Sequence, residues 1–380
     1  MKISILSFLL SIFLIIGACD KEKTLNELPY DTDKKPVKIG VFLPVSGAME
    51  DLGRSAWLAL QIANSIRPAP DDRRVDLILK DSQGSESLAR QAATELLEQG
   101  DLCGVIGGTL DSEINGFCGV WDSLSAPLIV IRAAMINHFE MDDNQWLIGS
   151  PFTDHVQAAA GFIMNSLQAR SIAVILDEDD EKCVKLATLF SAEILRRDGK
   201  IVDIIFFRKT DGDMGNIIQK LISHNPEAIY MPYSYESCYT VIKQVRKQGI
   251  KTPFVITNPD LESKFLTHAH RSFKEVYLLT VYHEQKIASE LRANFVKRYK
   301  KQNDKLDTIA VLAADAYFVL LDMLQADGKM AQGFTLDNDG PYLSGVHAFK
   351  PSGIPVRDMH VSVVKNSRLK YVETHQALMH

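Results

Sequence analysis

Few residues in this chain have spacing suited to making or breaking bonds. His268-Ala269-His270 is a lone His-x-His. On a strand, residues two apart share a face, so two imidazoles could stand side by side, but no third ligand lies nearby. A solvent-facing pair is the plainer reading. Gly104-Val105-Ile106-Gly107-Gly108 lacks both the dinucleotide spacing and the Lys-Ser/Thr of a phosphate loop. Neither a nucleophile elbow nor His-Glu-x-x-His occurs. Cys103, Cys118, Cys183 and Cys238 match no zinc pattern and no dense disulfide framework. A Cys103–Cys118 bridge and buried free thiols both stand as readings. Asp177, Glu178, Asp179, Asp180 and Glu181 are five consecutive acids, either a lip that selects a cation or a solvated strand-end loop. The residue types therefore point away from an enzyme. No pattern asks for a metal or cofactor, and what remains is binding.

One cysteine has a different chemistry. Lys2 precedes a largely apolar run ending in Gly17-Ala18-Cys19, after which Asp20-Lys21-Glu22-Lys23 is charged. A basic start, a short apolar stretch and small residues at its end make a secretory signal, too short for a spanning helix. The Gly-Ala-Cys junction resembles a bacterial lipobox. That resemblance implies cleavage after residue 18, acylation of Cys19 with palmitate-type chains, and a lipid anchor in the cell envelope on the extracytoplasmic side. An ordinary cleaved signal with an incidental cysteine is the alternative. One acyl chain holds a protein marginally, whereas two or three hold it stably. Asp20 resembles an inner-membrane retention signal.

The net charge of the 380-residue chain is −6, and losing residues 1–18 with Lys2 leaves about −7. Interspersed, mildly acidic charge gives no footprint for nucleic acid.

The elements that must position a binding site follow from periodicity. Residues 24–35 are mostly polar, with no apolar period, and read as a tether within residues 19–36. From Val37 short apolar β-rich runs alternate with amphipathic stretches: 37–43, 75–79, 103–106, 127–131, 171–176, 201–207, 228–231, 254–256 and 276–281. Between them, Ala56, Ala59, Leu60, Ala63 and Ile66 make one helical face. Leu88, Ala92 and Leu96 make a second, with Gly100 at the C-cap position. Leu186, Phe190, Ile194 and Leu195 make a third. Residues 308–324 are apolar but carry Asp315 and Asp322, which reads as a helix buried between layers. Strand–helix alternation with nearly all-apolar strands predicts α/β structure with parallel sheets covered on both faces. The length predicts two lobes.

In order, these runs resemble the periplasmic binding proteins of the Leu/Ile/Val type, the substrate-binding components of branched-chain amino-acid ABC transporters. The opening, Val37-Lys38-Ile39-Gly40-Val41-Phe42-Leu43-Pro44-Val45-Ser46-Gly47 with Leu52-Gly53, carries the likeness first. Leu79-Lys80-Asp81-Ser82, Val105-Ile106-Gly107-Gly108, Ala126-Pro127-Leu128-Ile129-Val130 and Thr153-Asp154-His155-Val156-Gln157 follow in the family's order. Phe295-Val296-Lys297-Arg298-Tyr299 and Ala313-Ala314-Asp315-Ala316 resemble its late helices. The resemblance implies two doubly wound parallel-sheet lobes with a hinge and a cleft between them. One lobe would hold residues 37–152 and 279–355, the other 153–278 and 356–380, with crossovers near 150–153, 278–282 and 349–356.

In open α/β sheets, ligands sit outside the carboxyl ends of strands, where helix N-termini offer free N–H groups. That selects the loops 44–53, 109–112, 132–135, 177–181, 233–235 and 257–260. The resemblance puts Asp111 where a carboxylate-binding serine is usual, with Ser112 beside it. Ala134 stands where a threonine is usual, next to Ala133 and Arg132. Asp111 would repel a ligand carboxylate, and Arg132 could compensate by bidentate pairing. Alternatively Arg132 pairs with Asp111 or Glu140 and never meets ligand. Glu181 replaces a tyrosine over the ligand, Tyr233 and Tyr235 flank another, and Asn258 replaces an ammonium-binding acid, with Asp260 two residues on.

The function implied is a monomeric, lipid-anchored solute-binding protein of an ABC-type importer. It would close on an amino acid or related small polar solute and present it to a membrane permease, with no bond made or broken. The same fold occurs in envelope lipoproteins that regulate cell-wall enzymes by protein contact, and that is the alternative.

Overall fold

The computed structural model describes residues 30–121, 126–132, 144–208, 214–232, 235–257, 273–286, 289–303, 306–325 and 342–375, with the backbone alone at 235–237, 285 and 292. Cys19 and the whole apolar leader lie outside the described residues.

Val37–Leu43 is apolar at nearly every position, as an interior parallel strand covered on both faces requires. It forms β1, flanked by β2 (Val75–Asp81) and β3 (Leu102–Gly107), both parallel to it. With β4 (Leu128–Val130) and β5 (Gln145–Leu147) they make a five-stranded parallel sheet, ordered β2-β1-β3-β4-β5. Three helices connect these strands: α1 (Glu50–Ile66), α2 (Glu86–Glu98) and α3 (Asp111–Trp121). The predicted face of α1 is buried at Ala56, Ala59, Leu60 and Ala63. Gly53 lets α1 approach β1, since a Cβ there would lie 2.2 Å from the Pro44 carbonyl oxygen. Gly100 ends α2 at φ +56°, a left-handed conformation that costs glycine little. Phe117 of α3 stacks on Phe42 with ring centroids 3.9 Å apart, and Trp121 packs beside it.

The chain then enters a second sheet through α4 (Phe152–Gly161). Here β6 (Ser171–Asp177), β7 (Lys200–Phe207), β8 (Ala228–Met231), β9 (Phe254–Thr257) and β10 (Val276–Thr280) run parallel. Among their connections are α5 (Glu181–Arg196), α6 (Gly215–His224) and α7 (Tyr235–Lys247). On α5 the predicted face is buried at Leu186, Phe190 and Ile194, but Leu195 is exposed. Leu195 sits one residue past the buried stripe, about 100° around the helix, and turns to solvent.

After β10 the chain returns to the first sheet. There α8 (Glu290–Gln302) and α9 (Thr308–Gln325) pack on α1. By length and composition α9 could cross a membrane, yet nearly all of it is buried in the fold. Its two acids are satisfied. Asp315 accepts hydrogen bonds from the Leu343 and Ser344 amides and the Ser344 hydroxyl, and Asp322 pairs with Arg67 and accepts from Tyr342 Oη. The hairpin β11 (Val346–Phe349) and β12 (Pro355–Arg357) follows, tied to the end of β5 by the Leu147 amide donating to the Gly353 carbonyl. The chain then passes back to add β13 (Met359–Lys365), antiparallel to β10, and β14 (Arg368–His375), antiparallel to β13. The second sheet is thus ordered β14-β13-β10-β9-β8-β6-β7. Two mainly parallel sheets joined by three passages of chain give the predicted two-lobed α/β fold.

Residues 30–35, predicted as part of the tether, are fastened to the first lobe. The Asp31 amide donates to the Asp72 carbonyl, and Lys35 Nζ lies 2.8 Å from Asp101. Cys103, Cys118, Cys183 and Cys238 are all free thiols, so the Cys103–Cys118 bridge is not formed. His268 and His270 lie outside the described residues.

Candidate functional site

The carboxyl ends of β1, β3 and β4 in one lobe and of β6 in the other deliver the loops where ligand was expected. The start of α3 and the start of α5 come together there. Asp111 Oδ2 lies 2.7 Å from Lys182 Nζ, an ion pair between the first residue of α3 and the second residue of α5. The Asp111 side chain is 18% exposed and that of Lys182 40%. Each lobe contributes one partner, so the pair spans the cleft. The sequence singled out Asp111 but not Lys182. The usable signal was a lysine directly after an acidic run at a helix start.

Much of the first-lobe wall is already satisfied from within. Glu113, fully buried, accepts from the Thr109 and Leu110 amides at 2.9 and 3.0 Å, from Thr109 Oγ1 at 2.7 Å and from the Ser82 hydroxyl. Burial pushes its carboxyl above the usual range, against the pull of those four hydrogen bonds. A side chain of this protein therefore occupies donors that a ligand carboxylate would otherwise meet. Ser112 gives its hydroxyl proton to the Gly84 carbonyl at 2.9 Å. Ser46 donates to Asp81 at 2.5 Å, fixing the loop after β1. Glu113 was missed because a glutamate three residues past a loop leucine reads as an ordinary first-turn acid.

The acidic run after β6 is largely structural. Asp180 caps α5, accepting from the Lys182 and Cys183 amides at 3.0 and 3.3 Å. Buried Asp177 accepts from the Asp179 amide, and Arg208 pairs with Glu178 at 2.6 Å and Asp179 at 3.6 Å. Glu181 is exposed at the first residue of α5, where the helix dipole favours it. This arrangement favours the strand-end loop over a cation-selecting lip.

The inner end of the cleft is cationic. Arg132 follows β4, its amide donating to the Gly108 carbonyl. Its Cα would lie 3.1 Å from a Cβ on Gly149, at the first passage between sheets. Arg357, 1% exposed at the end of β12, donates through Nη2 to the Ile148 carbonyl, while its Nε and Nη1 have no hydrogen-bond partner. Buried His155, in the first turn of α4, has its pKa pushed down to about 4 by burial, assisted by the charges of Arg357 and Arg132. Burial also lowers the pKa of Arg357, to about 10, against the fields of Asp315 and Asp154. The sequence marked Arg132 but not His155 or Arg357. The signal for Arg357 was a lone charge in an otherwise apolar Pro-Val-Arg strand.

Ala133, Ala134, Tyr233, Asn258 and Asp260 lie outside the described residues, and Tyr235 begins α7 with its backbone alone described. Of the predicted positions, the structure brings Asp111, Ser112, Arg132 and Glu181 to the strand ends and helix starts around one cleft. Among the described residues no cluster of His, Cys, Asp and Glu is placed to hold a metal ion.

A protein-family model described as periplasmic binding protein matches residues 36–337. No curated protein matches the sequence. Solved structures do. A leucine-binding protein from Thermotoga maritima is 21% identical with a TM-score of 0.74, covering 90% of this chain and 99% of its own. A branched-chain amino acid transporter substrate-binding protein from Streptococcus pneumoniae, in complex with isoleucine, is 18% identical with a TM-score of 0.75, covering 90% and 100%. A solute-binding protein of an ABC transporter from R. palustris, in complex with benzoate, is 16% identical with a TM-score of 0.69, covering 90% and 98%. At such identities these likenesses establish the fold. Taken with the match that runs from the first strand through the late helices, they mean that this chain belongs to the periplasmic binding protein family.

Proposed function

We propose that this chain is the solute-binding component of an ABC-type importer. It works on the extracytoplasmic side of a membrane, anchored through acyl chains on Cys19, and takes an amino acid or related small organic acid. The observation that carries this reading is the interlobe ion pair of Asp111 and Lys182 at two facing helix starts. Such a contact exists only when the lobes approach, which is what capture by hinge closure requires. The relatives' bound isoleucine and benzoate support a small carboxylate as the ligand class. Affinity would come from desolvated hydrogen bonds in a largely preformed cleft, without chemistry on the solute. The anchor would keep the protein near its permease at a high local concentration set by the residues before Val37.

The test is a thermal-shift screen of the chain against amino acids, their amides, aromatic acids and polyamines. Ligand at about a hundred times its dissociation constant adds about 2.7 kcal/mol of stability. A flat response across the panel would refute solute capture and favour the protein-contact alternative. Mass spectrometry of the membrane-extracted protein tests the anchor. A mature N-terminus other than acylated Cys19 would refute it.

A further inference from the structure

The charges around the cleft are unevenly placed. At the start of α3, Asp111 is anionic and held by Lys182, and the Thr109 and Leu110 amides are taken by Glu113. No seat for a carboxylate remains on those groups. At the inner end, where the first and third passages between sheets meet, Arg357 feels Asp154 and Asp315, Lys350 acts on Asp154, and Arg132 acts with Arg357 on His155. Asp315 spends its oxygens on the Leu343 and Ser344 amides and the Ser344 hydroxyl. Burial disfavours the ionised form of Asp154, against the charges of Lys350 and Arg357. Positive charge is left in excess.

Polar atoms at that end also lack partners. Arg357 Nε and Nη1, Ser150 Oγ and His155 Nδ1 are buried without a hydrogen bond. Arg357 is 1% exposed, Ser150 8% and His155 4%. A buried guanidinium with two unmet donors is costly unless an acceptor comes to it. These atoms converge: Arg357 is fastened to Ile148, Ser150 follows two residues on, and His155 feels both guanidinium charges. The N-terminus of the ten-residue α4 opens beside them and adds a field favouring an anion.

Resting on the solute-binding reading, we propose that the ligand's carboxylate is received at this inner end of the cleft, bound by an unmet N–H of Arg357, at Nε or Nη1, with Arg132 and Ser150 Oγ. Nε and Nη1 lie on different edges of the guanidinium, whose shared Nη2 is taken by Ile148, so each offers a single charge-assisted N–H to a carboxylate oxygen. Hinge opening gives the ligand access, because Arg357 stands on the third passage between sheets. Closure then buries the pair. Neutral His155 leaves a donor or acceptor for a second polar group on the solute. The site selects organic acids over their amides and over cationic solutes.

The test uses the full chain in detergent and isothermal titration with benzoate against benzamide, L-isoleucine against L-isoleucinamide, and spermidine. The acid of at least one pair is expected to bind, with its amide weaker by about tenfold or more. Arg357→Met should abolish that preference. Should this variant not fold, half-buried Arg132→Gln carries the same test, with loss of acid affinity by about tenfold at an unchanged circular dichroism spectrum. An amide bound as tightly as its acid would overturn the proposal. So would Arg132→Gln and a folded Arg357→Met that bind the acid like the parent. Binding of spermidine or the amides without the acids would sink the carboxylate seat and leave the solute-binding reading intact. Silence of every probe would sink both.

Discussion

Substituting Asp111→Asn removes the charge of the interlobe pair while keeping the side chain's shape. At 2.7 Å, unit charges attract by about 6 kcal/mol at an effective dielectric of about 20. Most of that is offset. Both groups lose hydration on meeting, and the lysine, 40% exposed, gives up side-chain freedom. Pairs of this exposure retain about 1 kcal/mol at best. That corresponds to about a fivefold change in the ratio of closed to open lobes. The assay is single-molecule energy transfer between dyes on exposed Glu98→Cys and Lys251→Cys, with Cys103→Ser to avoid a third label. At low salt, Asp111→Asn and Lys182→Met should each move the population toward the open state by about two- to fivefold. Raising ionic strength from about 0.1 to about 1 M shortens the screening length from about 10 to about 3 Å. The parent should therefore open with salt more than either variant, and the double variant should open no further than the single ones. Equal salt responses in parent and Asp111→Asn, or an unchanged low-salt distribution, would refute the reasoning.

Three further outcomes are expected. His155 is held neutral in the folded protein down to about pH 4, whereas in the unfolded chain it takes a proton near 6.5. Its contribution is therefore complete above pH 6.5 and disappears as the pH falls toward 4, by up to about 3 kcal/mol. Urea unfolding at pH 7 and 4.5 should show a steeper loss in the parent than in His155→Gln, and parallel losses would contradict the assignment. Glu113→Ala leaves the Thr109 and Leu110 amides and two hydroxyls without their acceptor, which should cost about 2–4 kcal/mol in the same assay. A change below about 0.5 kcal/mol would mean water replaces the carboxylate at no loss. A thiol reagent should modify half-buried Cys103 in the native protein and reach Cys118, Cys183 and Cys238 only after unfolding. A Cys103–Cys118 crosslink in the peptide map would contradict the free-thiol state.

The elements were legible because parallel strands buried on both faces read as apolar runs, and their helices repeat at a helical period. β1, β6 and β8 begin and end within a residue of their apolar runs. β5 and the pair β13–β14 were not read. A three-residue strand has no period to detect, and β14 is an edge strand alternating between exposed and half-buried residues. At the site, the sequence alone marked the loops at the carboxyl ends of the strands as candidates, because strand–helix order fixes where strands end. It identified Asp111 and Arg132 on those loops. It did not determine whom they meet. Lys182 follows Asp111 by 71 positions, and only the approach of α3 to α5 makes them a pair. Likewise the sequence shows Arg357 only as a charge beside Asp358 after an apolar pair. Its burial against the Ile148 carbonyl, beside His155, is decided by the first and third passages of chain meeting between the sheets. Local pattern records which face of an element is apolar, whereas the partner of a buried charge is set by contacts distant in sequence.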